Sequence, residues 1–179
     1  MSLLAALYPF TPFDDPAAMQ APLQDVCREN GISGSLLIAR EGINGTIAGH
    51  RAGLDKVLAY IRALSGCATL EWKESTAAHQ PFARMKVKLK KEIVTMGQPD
   101  VDPRAHVGNY VAPEDWNALI LSEDVAVIDT RNDYEVAIGT FEGAVDPKTA
   151  SFRDFPAWWE QGALSQQAHR HVLHRRYPL

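Results

Sequence analysis

Residues 33–48 read SGSLLIAREGINGTIA. Ser33–Ala39 is a compact apolar strand. The Asn44-Gly45 pair that follows is a strong short hairpin signal, because both central positions of a type I′ turn need positive φ. Thr46–Ala48 then begins the return strand. Working outward, Asp14, Asp15 and Pro16 open a helix, with acids at its positive end. Met19, Leu23, Val26 and Cys27 continue that helix at spacings of three to four, and Asn30-Gly31 supplies a left-handed stop. Leu3–Phe10, closed by prolines, is a strand ahead of it. On the other side Ala52–Leu64 places Leu54, Val57, Leu58, Ile61 and Leu64 on one helical stripe.

Two further strands complete the first half. Leu70–Glu74 is strand-like. Arg84–Lys91, RMKVKLKK, alternates strictly, with Met85, Val87 and Leu89 on one face and Arg84, Lys86, Lys88 and Lys90 on the other. A period of two marks a half-buried strand. The order strand–helix–strand–strand–helix–strand predicts an α+β, ferredoxin-like domain over residues 1–94. Residues 95–112, rich in Gly, Pro and Asp, read as a linker. Pro113-Glu114-Asp115 opens a helix through Trp116, Leu119 and Ile120. VAVID at Val125–Asp129 then fits a buried parallel strand of an α/β unit over residues 113–160. Its polar end, Asp129-Thr130-Arg131, lies where open α/β sheets build sites.

Composition narrows the function classes. The 179 residues are 46% hydrophobic and 22% charged, which excludes collagen-like, low-complexity and wholly disordered chains. No apolar run is long enough to span a membrane, and MSLLAALYPF has no basic leader, so a soluble cytoplasmic protein is expected. Two cysteines, Cys27 and Cys67, are too few for a disulfide framework or a zinc site. Neither neighbours a base that would activate it. His169, His171 and His174 lack a nearby carboxylate to support a metal, and none is expected. Charge is uneven: +2 over residues 1–97, −9 over 98–160, and a 161–179 tail with three Arg, three His and no acid.

Three clusters could carry chemistry. Arg84, Lys86, Lys88 and Lys90 point four cations the same way and could track a phosphate backbone; from the residues alone a solvated face or a lysine-guarded strand edge is the favoured reading. In Glu41–Thr46 a hairpin turn accounts for Asn44 and Gly45 but not for Glu41 or Gly42. Asp129 and Arg131, with Asp133 and Glu135 close by, are either catalytic carboxylates with a partner or a strand-end ion-pair network.

Taken together, EGINGTIAG (Glu41–Gly49), QPFARMKVKLKKEIVTMG (Gln80–Gly97) and VIDTRNDYEVAIGTFEGAVDP (Val127–Pro147) closely resemble the rhodanese-domain tRNA uridine hydroxylases. The resemblance covers about Tyr8 to Trp159. It implies a ferredoxin-like domain, a rhodanese-like domain, tRNA as partner, and 5-hydroxylation of the wobble uridine with molecular oxygen as co-substrate. It also matches the basic strand, Asp129 and Arg131 to the family pattern, with Glu41 and Asn44 as supporting residues. Cofactor and oligomeric state stay open.

The departure is as specific. Family members continue past the step that is Phe155-Pro156 here to a strand and a loop, Cys-Thr-Gly-Gly-Ile-Arg-Cys, whose first cysteine is catalytic. This sequence has no such loop. One back-translation of His169–Leu179, read one base later, gives Thr-Ala-Met-Phe-Cys-Thr-Gly-Gly-Ile-Arg-Cys. The expectation is therefore a frameshift within residues 161–168, an out-of-frame tail over 161–179, an inactive chain, and a Val125–Ile128 strand left without a hydrogen-bonded neighbour. The alternatives are a non-catalytic RNA-binding remnant or a rhodanese-type sulfurtransferase relative, and the latter needs the same cysteine.

Overall fold

The structure, a computed structural model, describes residues 1–94, 96–98, 109 and 111–162, and the backbone alone over 170–174. The linker expected over 95–112 and most of the 161–179 tail, with the side chains of His169, His171 and His174, lie outside the described residues. The chain divides after Val94 into two compact units.

The first unit is an α+β, ferredoxin-like domain. It runs β1 (Ser2–Leu7), α1 (Pro16–Glu29), β2 (Ser33–Ala39), β3 (Gly42–Gly49), α2 (Arg51–Arg62), β4 (Trp72–Ala77) and β5 (Met85–Leu89). The sheet order is β4-β1-β3-β2-β5, antiparallel except for β5 beside β2. Both helices cover one face. Leu23 and Cys27 of α1, with Leu54, Val57, Leu58 and Ile61 of α2, are buried against Leu7, Leu36, Ile38, Ile43, Ile47 and Val87. Each such side chain contributes roughly 1.5–3 kcal/mol of transfer free energy.

Helix α1 starts where the acids predict. Asp15 accepts the Ala18 N–H at 3.0 Å, Pro16 takes the first turn, and Gly31 beyond the end stands at φ +66°. Elsewhere tertiary structure corrects the reading. The turn between β2 and β3 is Arg40-Glu41, with Ala39 paired to Gly42, and Asn44-Gly45 lies inside β3. Gly45 is glycine because the strands approach closely: a Cβ there would collide with the carbonyl oxygen of Ser35. Leu89 does not share the burial of Val87; it is 44% exposed at the strand's free end.

The strand β5 sits on the sheet edge, and α1 caps that edge. Gln24 accepts the Val87 N–H at 2.8 Å and donates to Met85 O at 3.2 Å, while Gln20 donates to Val87 O at 2.8 Å. The backbone groups turned away from β2 are thus satisfied by amide side chains, which denies them to another strand.

The second unit contains α3 (Pro113–Ile120), β6 (Val125–Asp129), a short α4 (Asp133–Val136), a 3₁₀ turn at Phe152–Asp154, α5 (Phe155–Glu160) and β7 (Arg170–His174). Phe155 is buried and stacks on Phe152 and Trp158. The expectation that Val125–Ile128 lacks a neighbour is overturned. β6 pairs in parallel with β7, Val125 facing Arg170 and Asp129 facing His174. Val145 brackets β6 as well, donating to Val127 O at 2.8 Å and accepting from Asp129 N at 3.0 Å. The backbone N–H and C=O groups of a buried strand need partners, and the extended backbone of Arg170–His174 supplies them on one side of β6. Among the described residues no helix is long and apolar enough to cross a membrane.

Candidate functional site

Glu41 and Asn44 act on the same residue. The Glu41 carboxylate accepts the Ile93 N–H at 2.5 Å and the Val94 N–H at 3.5 Å. The Asn44 amide donates to Ile93 O at 2.9 Å, and Ile93 itself is buried. Both backbone groups of a buried residue therefore find side-chain partners, as burial requires. The flanking backbone is fastened too: Thr11 N donates to Glu41 O, and Ile43 N to Pro9 O. The motif is a latch on the segment that follows β5.

The four cations of the basic strand fall as the alternation places them. In register, Ser35 faces Lys86 and Leu37 faces Lys88, while the buried partners are Leu36 and Val87. Lys86 and Lys88 thus stand on the face without helices, and Arg84 and Lys90 flank the strand with the same parity. All four are exposed. Among the described residues none of them forms an ion pair, and a cation without an acid partner keeps its field for a ligand.

The reading of the sequence missed the opposite rim. On β4, Trp72 and Glu74 turn toward α2: the Arg62 guanidinium lies 4.4 Å from the Trp72 ring centroid, and Arg51 holds Glu74 with bonds of 2.8 and 2.6 Å. Alternation leaves Lys73 and Ser75 on the same open face as Lys86. The period of two in WKES was the available signal.

At the end of β6, Asp129 is 0% exposed and its carboxylate is saturated. Arg131 binds it through Nε at 2.8 and 3.2 Å, through a terminal nitrogen at 2.5 Å and through its own N–H at 3.2 Å; Thr140 Oγ1 donates at 2.8 Å. The same Arg131 nitrogen reaches Gly139 O at 2.6 Å. Burial raises the carboxyl's pKa, but the bonds from Arg131 and Thr140 outweigh it and hold it below its ordinary value. A carboxylate so occupied has no lone pair facing a substrate. It braces the loop from Arg131 to Thr140 rather than accepting a proton. Thr140 carried no signal in the sequence, since nothing in its spacing points to Asp129.

Both cysteines are buried. Burial pushes the Cys27 thiol up to about 12 and raises that of Cys67. Neither has thiolate character for nucleophilic work. Among the described residues no group of His, Cys, Asp and Glu comes together to hold a metal ion.

Residues 2–93 match the model of the UPF0176 acylphosphatase like domain. Three relatives carry the name tRNA uridine(34) hydroxylase. That of Ruegeria pomeroyi is 71% identical over 89% of this chain and 53% of its own length. That of Gluconobacter oxydans is 66% identical over 88% of this chain and 50% of its own. That of Roseobacter denitrificans is 59% identical over 98% of this chain and 57% of its own. The chain spans about half the length of the curated relatives it matches.

Proposed function

The chain belongs to the UPF0176 family, and from that premise we propose that it serves 5-hydroxylation of the wobble uridine of tRNA. The observation that carries this reading is the 59–71% identity, over most of the chain, to relatives named for that activity. Molecular oxygen supplies the hydroxyl oxygen, and the site of action is the cytoplasm, where tRNA is found.

The geometry supports a division of labour. Arg84, Lys86, Lys88 and Lys90 form an RNA-contacting row on the first unit. The second unit, with its parallel β6 and β7 and a polar strand end, is part of a rhodanese-like domain. There Asp129 and Arg131 are supporting residues that fix the loop at the end of β6; within the first unit Glu41 and Asn44 are supporting residues that fix Ile93. The thiols among the described residues are buried and protonated, so these residues supply recognition and support rather than the reacting group.

Expression in a bacterial host lacking its own uridine-34 hydroxylase, with mass spectrometry of tRNA nucleosides and a tRNA-binding titration, tests this. We expect tRNA to be bound and its uridine left unmodified by this chain alone. Hydroxylated uridine would assign the chemistry to this chain as well, and absence of tRNA binding would remove the reading.

A further inference from the structure

The pairing registers of the first unit line up into one row that crosses all five strands. Lys73 pairs with Ala6, Ala6 with Thr46, Thr46 with Ser35, and Ser35 with Lys86. Every member of this row is on the face opposite the helices. The adjacent row carries Ser75, Leu4, Ala48 and Ser33. The middle of the floor is small, with Ala48 and Thr46 buried on the central strand and Ala6 and Ser35 half-buried, and Leu4 and Leu37 stand half-buried on the same face. The walls are long and cationic, with Lys73 on one edge strand and Lys86 and Lys88 on the other. Four strand spacings of about 4.8 Å put the two walls ~19 Å apart. The link from β4 to β5 passes over one end of this face, where Gln80 donates to Ser33 Oγ at 2.6 Å and accepts from Ser2 Oγ at 2.8 Å.

We infer that this trough seats a double-helical stem of RNA through its backbone. The inference rests on the tRNA reading above and adds the surface and the form of RNA it takes. Three observations on the face select a duplex. Cations stand on both walls, whereas a single strand needs one line of them. None of the face's strand positions carries an aromatic ring on which an unstacked base could lie. Hydroxyls line the face, Ser35 on its floor and Ser75 beside Lys73 on the β4 wall, and can meet the 2′-hydroxyls of a wide, shallow minor groove. Such a surface reads shape and sugar, not sequence.

Fluorescence anisotropy on the full chain tests it, with four probes: tRNA, a mixed-sequence RNA duplex of about 16 base pairs, the same sequence as a DNA duplex, and one RNA strand alone. The RNA duplex should bind about tenfold more tightly than the DNA duplex and than the single strand. Changing Lys73, Lys86 and Lys88 together to Gln should lower the log–log salt slope by about 2–3. Lys56→Gln, an exposed cation on α2, should leave it unchanged. Ser35→Ala should reduce the RNA-over-DNA preference severalfold. If the triple variant fails to fold, Lys86→Gln alone should lower the slope by about one. An unchanged slope, equal RNA and DNA affinity, or a tighter single strand, each with tRNA binding intact, would overturn the trough and leave the tRNA reading standing. No tRNA binding by the unaltered chain would overturn both.

Discussion

The carboxylate of Glu41 sits 2.5 Å from the backbone nitrogen of Ile93, fifty-two positions later in the chain. A turn residue between β2 and β3 thus fixes where the polypeptide goes after its last strand in the first unit. Asn44 completes the hold from the carbonyl side. Neither bond has any counterpart in local sequence, and both follow from the sheet order that brings the β2–β3 turn beside the end of β5.

Removing either partner leaves a buried backbone group unpaired. Asn44→Ala should cost the first unit about 1–3 kcal/mol and Glu41→Ala a similar amount. Urea unfolding gives the stability, and hydrogen exchange at the Ile93 and Val94 amides gives the location. Unaltered protection of both amides in Glu41→Ala would show that the latch is not what holds this segment.

Asp129 and Arg131 make a sharper case, because breaking a buried ion pair strands a charge. Arg131→Met should destabilise the second unit by about 3–5 kcal/mol. The pH dependence follows from the direction of the shift. The folded-state pKa of Asp129 lies below its ordinary value of 3.8. The stabilisation is therefore fully present above that value and is lost as pH falls through the folded pKa. Near-ultraviolet circular dichroism during acid titration should show the Asp129→Asn protein without that acid-dependent loss. Coincident acid transitions for the two proteins would exclude the assignment.

The thiols should be silent. With Cys27 raised to about 12 and Cys67 raised as well, native protein at pH 8 should resist iodoacetamide and react at both positions only after unfolding. Mass spectrometry of the alkylated chain reads this directly. Prompt labelling of the native protein at either position would mean the thiol is not shut away as the structure has it.

Gln20 and Gln24 should matter for solubility more than for stability. Replacing both with Ala strips the outer edge of β5 of its partners and opens a strand edge for pairing between molecules. We expect faster exchange of the Val87 amide and concentration-dependent light scattering. A double variant as clear and as protected as the parent would show that the four cations alone guard this edge.

What the sequence disclosed follows from how far each interaction reaches. Arg84–Lys91 was legible because one face is buried and the other wet, which writes a period of two into neighbouring residues. Asp15 and Gly31 were legible because caps act within one helical turn. Asn44-Gly45 misled because the same dipeptide serves two physical needs: a turn, or an amide aimed at a distant carbonyl beside a strand that allows no Cβ. The neighbour of β6 was unreadable for another reason. A tail with a foreign charge balance gives no hint that RHVLH would complete a parallel pair, since parallel partners are joined by no local turn. In the candidate sites, Arg84, Lys86, Lys88 and Lys90 were visible along one strand. Lys73 belonged to another strand and came into line only through register.

The Arg40-Glu41 turn carries a consequence for how the first unit assembles in time. It makes β2–β3 a pairing closed by a two-residue loop, and such hairpins form in about 1–10 μs. The rest of the sheet joins partners far apart in the chain, Leu3 with Gly49, Ser2 with Ala77, Gly34 with Met85. Those closures are slow and set the overall rate. Glu41 therefore waits in an early-formed turn for Ile93, part of the stretch that docks after β5, so its bond reports completion: a Glu41 substitution should speed unfolding and leave the refolding rate nearly unchanged.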